Sequence, residues 1–265
     1  MTEGSLTFVG TATTLLRLGG FTLLTDPNFL RRGQRAYLGY GLTSRRRTDP
    51  ACGPADLPEL DAVLLSHLHG DHFDRVARRW LPPELPVVTT EHAARRLGRR
   101  VSRAAAGLPV WEQWSVQRGD ERLRVTAVPG RHGPPLLAGA LPPVMGSVVD
   151  LERGGRRVLR VYVTGDTLCV PALRQVGERF GDIDVMVAHL GGTRIFGMLL
   201  TMDARQGADL VELLAPRTTV PVHYDDYDVF RSPLSHAVTE LRDRGLDSGL
   251  RVVHRGDTVD LVGRS

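Results

Sequence analysis

The stretch "SHLHGDHFD" (66–74) constrains this chain most, because it places three histidines and two aspartates within nine positions directly after the apolar run "AVLL". An apolar run followed by a helical pattern predicts a strand-to-helix turn. Strand side chains alternate, so His67 and His69 project to the same side. Imidazole and carboxylate groups suit a divalent ion such as Zn²⁺, so the turn predicts a metal site. A capped and solvated turn is the alternative.

Other candidate ligands follow other apolar runs. His132 comes after "RVTAVPGR", Asp166 after "VLRVYVTG" and His223 after "TTVPV". A single histidine in such a place is more often a structural residue than a ligand. Taken together with the first motif, however, these residues supply seven ligands, which is enough for two adjacent metal ions. The full candidate set is His67, His69, Asp71, His72, His132, Asp166 and His223.

The hydrophobic pattern predicts strands that pair early and then alternate with helices, which favours stacked sheets with helices outside. The N-terminal part reads as short strands with a Gly-Gly turn, and 28–58 reads as a long loop. A hairpin is predicted with Gly154 and Gly155 at its turn. The C-terminal part predicts three helices and a closing strand pair, at 171–180, 203–214, 233–244 and 250–262.

Composition narrows the class of protein. A chain of 265 residues that is 42% hydrophobic can bury a large core, as one domain or two small ones. All 34 basic residues are arginine and the formal net charge is only +4, so we interpret the basic pI as compositional bias and expect no nucleic-acid partner. No apolar run is long enough to span a membrane, and no signal peptide is evident. Only two cysteines are present, which suits the cytoplasm.

The motifs "SHLHGDH", "GRHG", "TGDT" and "PVHYDD", in this order, resemble the metal-binding motifs of the metallo-β-lactamase superfamily. The stretches "FTLLTDPNF", "LPELDAVLLSHLHGDHFD" and "GERFGDIDVMVAHLGG" resemble one branch more narrowly. That branch contains the ascorbate-6-phosphate lactonases and the N-acylphosphatidylethanolamine-hydrolysing phospholipase D enzymes. The resemblance covers essentially the whole chain. It implies one hydrolase domain over 1–265, with the α/β class and four-layer αββα sandwich of that superfamily and the site at the sheet edges.

The resemblance also implies how the ligands divide between two divalent ions. One ion takes three histidines, the other takes Asp71 and two histidines, and Asp166 bridges. Zinc is expected, and Mn²⁺ or Fe would suit the same ligands. A metal-bridging hydroxide would then attack a small ester, lactone or phosphodiester, with Asp71 orienting it. The two histidine sets are His67, His69 and His132 for the first ion, and His72 and His223 for the second.

Some positions depart from the resemblance. Thr11 in "GTAT" stands where many members of the branch have histidine, which puts a substrate role of that turn in doubt. Asp166 stands where zinc β-lactamases usually have cysteine, which argues against antibiotic hydrolysis. No nuclease-type insertion separates Asp166 from His223, which argues against RNA processing.

Several residues have two open interpretations. His189 ends a strand and is either a proton donor or substrate contact, or a buried structural histidine. Tyr224, beside His223, is a candidate oxyanion donor. Asp26 could hydrogen-bond a ligand histidine or form an Asx turn before Pro27. Asp203 is expected to be a helix N-cap rather than a catalytic acid.

The expected function is hydrolysis of a small molecule, and two alternatives stay open. One is a nucleic-acid-processing enzyme of the same fold, and the other is a non-hydrolytic metal-binding member. The apolar stretch 191–200 could shape the pocket or join two copies of the chain, and we favour a homo-oligomer interface for residues 196–200. The arginines of segment 31–47 could attract an anionic substrate, although a solvated surface is the preferred interpretation.

Overall fold

A computed structural model of the chain describes residues 3–137 and 139–263. Runs of consecutive strands are followed by segments in which strands and helices alternate. The strands are β1 (Gly4–Gly10), β2 (Thr13–Leu18), β3 (Phe21–Thr25), β4 (Arg35–Gly39), β5 (Leu42–Arg45), β6 (Ala62–Leu65), β7 (Val87–Thr90), β8 (Ala105–Leu108), β9 (Gln113–Arg118), β10 (Glu121–Pro129), β11 (Met145–Arg153), β12 (Arg156–Val163), β13 (Val185–His189), β14 (Arg194–Ile195), β15 (Met198–Leu199), β16 (Thr218–Val222) and β17 (Thr258–Leu261). The helices are α1 (Arg75–Trp80), α2 (Glu91–Val101), α3 (Arg174–Phe180), α4 (Ala204–Leu214) and α5 (Leu234–Asp243).

Two large sheets form the body of the protein within the described ranges. The first has the order β17-β1-β2-β3-β6-β7-β8 and the second β16-β13-β12-β11-β10-β9. Each sheet has an antiparallel half and a parallel half. Strands β3, β6, β7 and β8 run parallel in the first sheet, and β12, β13 and β16 run parallel in the second. The carboxyl ends of the parallel strands therefore lie at one edge of each sheet.

The core is divided into layers that confirm the αββα sandwich. One buried cluster joins the facing sides of the two sheets, with Phe8 and Leu16 from the first sheet and Val149 from the second. A second cluster packs α3, α4 and α5 on the outer face of the second sheet. A third packs α1 and α2 on the first sheet. Removing this apolar surface from water stabilises the fold by about 25 cal/mol per Å².

Local sequence signals account for many element boundaries. Asp74 caps α1 by accepting hydrogen bonds from the Val76 and Ala77 amides, both at 2.8 Å. Asp203 caps α4 through the Gln206 amide, which confirms its predicted N-cap position. Gly154 and Gly155 have φ of 56° and 76°, which allows the tight turn of the predicted β11–β12 hairpin.

Two predicted segments were wrong. The loop predicted over 28–58 contains the β4–β5 hairpin, in which Ala36 and Leu38 are buried and alternate with exposed residues. The closing strand pair predicted at 250–262 is a single strand, β17, because Leu250 makes only an isolated bridge to Thr219. Strands β8 and β9 at the sheet edges were not predicted.

The β4–β5 hairpin is attached directly to the histidine motif at Gly70. The Gly70 amide donates to the carbonyl oxygen of Tyr37 at 2.8 Å, and the Asn28 side-chain amide donates to the Gly70 carbonyl at 2.8 Å. A Cβ at position 70 would lie 2.7 Å from both the backbone nitrogen and the oxygen of Tyr37. Glycine is therefore required where the motif turns between His69 and Asp71.

We expect Gly70→Ala to separate the hairpin from the motif and to displace the flanking residues His69 and Asp71. Both clashing atoms are backbone atoms, so a side-chain rotation cannot relieve the contact. A destabilisation of about 1–3 kcal/mol is expected from overpacking, together with weaker metal binding. Urea denaturation and metal titration measure the two effects. Gly53→Ala is the control, because its φ of −94° suits any residue and the atom nearest to the new Cβ, Asp56 Oδ2, would lie 3.5 Å away in ordinary contact. Unchanged metal affinity and stability in Gly70→Ala would contradict this account.

Candidate metal centre

The candidate ligands lie together at the carboxyl edge of the two sheets. His67 follows β6 of the first sheet, whereas His132, Asp166 and His223 follow β10, β12 and β16 of the second. The facing nitrogens of three histidines converge: His67 Nε2 lies 2.9 Å and His132 Nε2 lies 3.2 Å from His69 Nδ1. Ligand atoms on a tetrahedral zinc ion lie about 3.3 Å apart. The spacing of these three nitrogens therefore fits a single metal ion.

The hydrogen bonds behind these histidines set which nitrogen carries the proton. His132 Nδ1 lies 3.0 Å from the carbonyl oxygen of Leu200, which can only accept, so His132 is protonated at Nδ1. The Ser66 hydroxyl donates to Asp26, and it can then accept from His67 Nδ1 at 3.0 Å. His67 and His132 thus both present an Nε2 lone pair to the space beside His69, as metal ligands do.

A second group is formed by Asp71, His72, His223 and Asp166. The Nε2 atom of His223 lies 3.5 Å from Asp71 Oδ2, and His72 Nε2 lies 3.2 Å from Asp166 Oδ2. Asp166 also lies 3.5 Å from His223 Nδ1 and shares a ligand cluster with His67 and His72. Its carboxylate therefore lies between the two groups.

Unpaired buried atoms in this group fit a bound cation. Asp71 Oδ1, Asp166 Oδ1, His72 Nε2 and both ring nitrogens of His223 are buried without a hydrogen-bond partner among the described residues. A buried polar atom that lacks a partner costs about 1–3 kcal/mol. Five such atoms around one small space would be costly in an ordinary core. A divalent cation would satisfy them together, so the donor set fits a metal.

The pKa values follow the same division. Burial lowers the pKa of His67 and His132, and it lowers that of His69 to about 4, so these three histidines stay neutral and keep their lone pairs. Burial alone would also lower the pKa of His72. Instead, Asp166 and the other neighbouring carboxylates raise the His72 pKa well above its usual value. The carboxylates therefore favour a positive charge at this position, which a proton or a metal ion can supply.

Asp26 and Ser66 support the ligands from behind. Asp26 accepts from the Ser66 amide at 2.7 Å, from the Ser66 hydroxyl at 2.9 Å and from His72 Nδ1 at 2.9 Å. Burial alone would raise the pKa of Asp26, but His72 and His189 lower it to about 2. Asp26 is therefore ionised at neutral pH and bonds a candidate ligand, as one of its two sequence interpretations expected.

His223 adopts a backbone conformation that is rare for a residue with a side chain. Its φ is 59°, in the left-handed region, and its amide donates to the Thr11 carbonyl at 2.7 Å. The Thr11 amide in turn donates to Asp226 at 2.7 Å. Thr11 therefore acts here through its backbone, by fixing the strained turn that carries His223.

The two other predicted catalytic residues lie away from the space between the ligands. His189 is fully buried behind His72, with the two rings stacked at a centroid distance of 5.9 Å, and its Nε2 lies 3.6 Å from Asp26 Oδ2. Tyr224 belongs to the core between the sheets, against Phe8, and burial raises its pKa to about 12. Their roles as a proton donor and an oxyanion donor stay predictions that these positions do not favour.

Sequence reasoning missed three supporting groups. Ser66, the Leu200 carbonyl and Thr164, whose hydroxyl lies 3.1 Å from His189 Nδ1, were not singled out. Ser66 could have been found from its place directly before the first ligand. A backbone carbonyl 68 positions away from its histidine leaves no signal in the sequence.

The arginines of segment 31–47 divide into two kinds. Arg31, Arg32, Arg35, Arg45 and Arg47 are exposed, as a solvated surface requires. Arg46 is fully buried, which contradicts that interpretation for this one residue. It pairs with Asp226 at 3.7 Å, contacts the Asn28 side chain and donates to the Thr48 carbonyl at 3.0 Å. Its charge is neutralised internally and so is not available to a substrate.

An αββα sandwich with a histidine and aspartate cluster at the sheet edge defines a candidate metalloprotein. Residues 22–224 match the family model of the beta-lactamase superfamily domain, and the chain belongs to this family. The narrower branch is not distinguished by this match. Within the described ranges, no helix has the length and apolar character needed to cross a membrane.

Relatives with similar sequences and structures carry names that concern metals and hydrolysis. A UPF0173 metal-dependent hydrolase of Deinococcus radiodurans is 27% identical over 218 residues, which cover 80% of this chain and 87% of the relative. One from Thermus thermophilus is 26% identical over 250 residues, covering 91% of this chain and 92% of the relative. The crystal structure of an isothiocyanate hydrolase from Delia radicum gut bacteria has a TM-score of 0.83 at 20% identity, covering 98% of this chain and all of the other. At that identity the likeness concerns the fold.

Proposed function

We propose that this protein is a metal-dependent hydrolase with two divalent ions, most readily zinc. The observation that carries the proposal is the convergence of the His67 and His132 Nε2 lone pairs on His69 Nδ1. These three residues would hold one ion. Asp71, His72 and His223 would hold the other, and Asp166 would bridge the two. The sequence similarity to metal-dependent hydrolases supports the same reaction class.

The residues of the site then have distinct roles. When bound, two divalent ions would lower the pKa of a shared water toward neutrality and polarise the oxygen under attack. Asp71 Oδ1 has no hydrogen-bond partner in the described part of the chain and is free to accept from the attacking water. Asp26 and Ser66 hold His72 and His67 in fixed tautomers. No covalent intermediate with the protein is needed.

We propose a small ester, lactone or phosphodiester as the substrate and one domain, residues 1–265, as the active unit. The support is the motif resemblance to the lactonase and phospholipase D branch, together with an open groove at His69 that would admit a small organic molecule. Tyr224 and His189 are left without a catalytic role, since neither is placed between the ligands.

Metal removal tests the proposal. Purified protein is expected to hold about two divalent ions per chain, and a chelator should abolish hydrolysis and lower the melting temperature by several degrees. A ligand at 100 times its dissociation constant stabilises the folded state by about 2.7 kcal/mol, and its removal forfeits this. Metal analysis, differential scanning calorimetry and a panel of phosphodiesters, lactones, thioesters, β-lactams and an isothiocyanate measure the effects.

Each alternative predicts a different result. Full hydrolysis by the chelated protein would overturn the proposal. Bound iron without hydrolysis of any panel substrate would favour a non-hydrolytic member of the superfamily. Salt-sensitive RNA or DNA binding coupled to cleavage would favour nucleic-acid processing.

A further inference from the structure

A large groove opens directly at the candidate metal centre. Its volume is about 1260 Å³, and His69 and Gly70 form part of its lining. One wall is the β4–β5 hairpin, another is formed by α1 and α2, and residues 139–143 complete it. The hydrogen bond between Gly70 and Tyr37 fixes the hairpin wall against the metal-binding motif. A molecule in this groove would thus lie at a defined position relative to His69.

The groove carries positive charge from arginines that form no ion pair in the described part of the chain, although the Asp74 carboxylate acts on Arg78 electrostatically. Arg35, Arg75, Arg78 and Arg96 line it, and within the described ranges none of them forms an ion pair with a carboxylate. Arg75 donates to a backbone carbonyl, and Arg78 lies over the Phe73 ring at 5.4 Å. Exposed arginines without an ion pair in the described part of the chain also occur elsewhere, as at Arg17 and Arg122. The groove differs because four such arginines line one cavity beside His69.

Asp74, the carboxylate among the described residues that line the groove, is occupied by hydrogen bonds from backbone amides. Asp74 accepts hydrogen bonds from the backbone amides of Phe29, Leu30, Val76 and Ala77. Its oxygens therefore serve the start of α1 and the preceding loop, and they make no hydrogen bond with the arginines. The guanidinium groups remain available to an anion.

Apolar and aromatic groups share the same groove. Tyr37 and Tyr40 project from the hairpin with exposed fractions of 59% and 76%. Leu68 and Leu141 lie in the lining nearer the motif and the 139–143 segment. Arginine binds phosphate and carboxylate groups with two parallel hydrogen bonds, while aromatic rings cover an apolar body. The combination suits an organic anion rather than a neutral molecule.

We propose that the substrate is a small organic anion, with a phosphate or carboxylate group on an apolar or aromatic body. The arginines of α1 and α2 bind the anionic group, and the scissile bond lies at His69. This inference rests on the proposed hydrolase function and narrows its substrate class.

The test uses chelated protein, so that binding to a metal ion does not contribute. Phenylphosphonate, benzoate and neutral benzamide share a phenyl ring, and calorimetric titration measures their affinities. Wild-type protein should bind one or both anions at least about tenfold more tightly than benzamide. The Arg78→Gln/Arg96→Gln double variant should lose most of that preference. The Arg17→Gln/Arg122→Gln variant removes the same charge at exposed positions outside the groove and should keep it.

The outcomes separate this inference from the hydrolase proposal. Preference for phenylphosphonate would identify a phosphate ligand, and preference for benzoate a carboxylate ligand; both support the inference. Equal affinity for benzamide and the anions, or equal losses in the two double variants, would overturn it. The inference would also be overturned if single-stranded RNA bound far more tightly than either anion and lost this affinity in the Arg78→Gln/Arg96→Gln variant. If the Arg78→Gln/Arg96→Gln variant keeps metal-dependent hydrolysis, the hydrolase proposal is supported independently of the binding results.

Discussion

His69→Ala is expected to reduce kcat/KM by at least about 10³-fold, because the first metal position would lose one of its three ligands. His69 Nδ1 is the atom on which His67 and His132 both converge. Without His69, the Nε2 atoms of His67 and His132 would be the two ligands that remain of the three at the first metal position. We therefore expect the bound metal to fall from about two ions per chain to about one, since the second group does not include His69.

Metal analysis and steady-state kinetics on the same preparation measure both effects. His254→Ala is the matched control, because it removes an exposed histidine that belongs to no cluster of candidate ligands in the described ranges. The control should keep its metal and its activity. Retention of two ions together with full turnover in His69→Ala would refute the assignment of this histidine.

The candidate ligands were predictable because their signal is local. The first motif, His132, Asp166 and His223 each follow an apolar run, and these runs form strands that end at the site. His67, His132 and His223 were therefore identifiable from short windows of sequence. The resemblance to a known family then supplied the layered architecture, which hydrophobic periodicity alone would not have distinguished from other stacked sheets.

The remaining features depend on long-range contacts or on chain direction. Tyr224 was predicted near the site because it follows His223 in sequence. His223 has a left-handed φ of 59°, and the next side chain, Tyr224, packs in the core against Phe8. The hairpin over residues 35–45 carried a short alternating signal, but its role as a groove wall depends on contact with Gly70, which is distant in sequence. Neither the placement of Tyr224 nor the role of the hairpin can be predicted from a few consecutive residues.

Asp26→Asn is expected to weaken metal binding by about 10- to 100-fold while the fold is retained. The pKa of Asp26 is about 2, so the substitution removes a full negative charge at neutral pH. Asparagine keeps the shape and can still accept from the Ser66 amide. Its NH₂ group, however, would then face His72 Nδ1, where the carboxylate accepts at 2.9 Å.

Two donors cannot pair, so His72 would be driven to the tautomer protonated at Nε2. That nitrogen is the one facing Asp166, and a protonated Nε2 cannot bind metal. Competition with a chelator of known affinity measures the loss. Asp203→Asn is the matched control, since asparagine caps a helix as well as aspartate and the α4 cap lies outside the ligand clusters. Equal metal affinities in Asp26→Asn and Asp203→Asn would show that Asp26 does not set the tautomer of His72. A loss confined to Asp26→Asn would show that the metal affinity depends on this carboxylate behind the ligands.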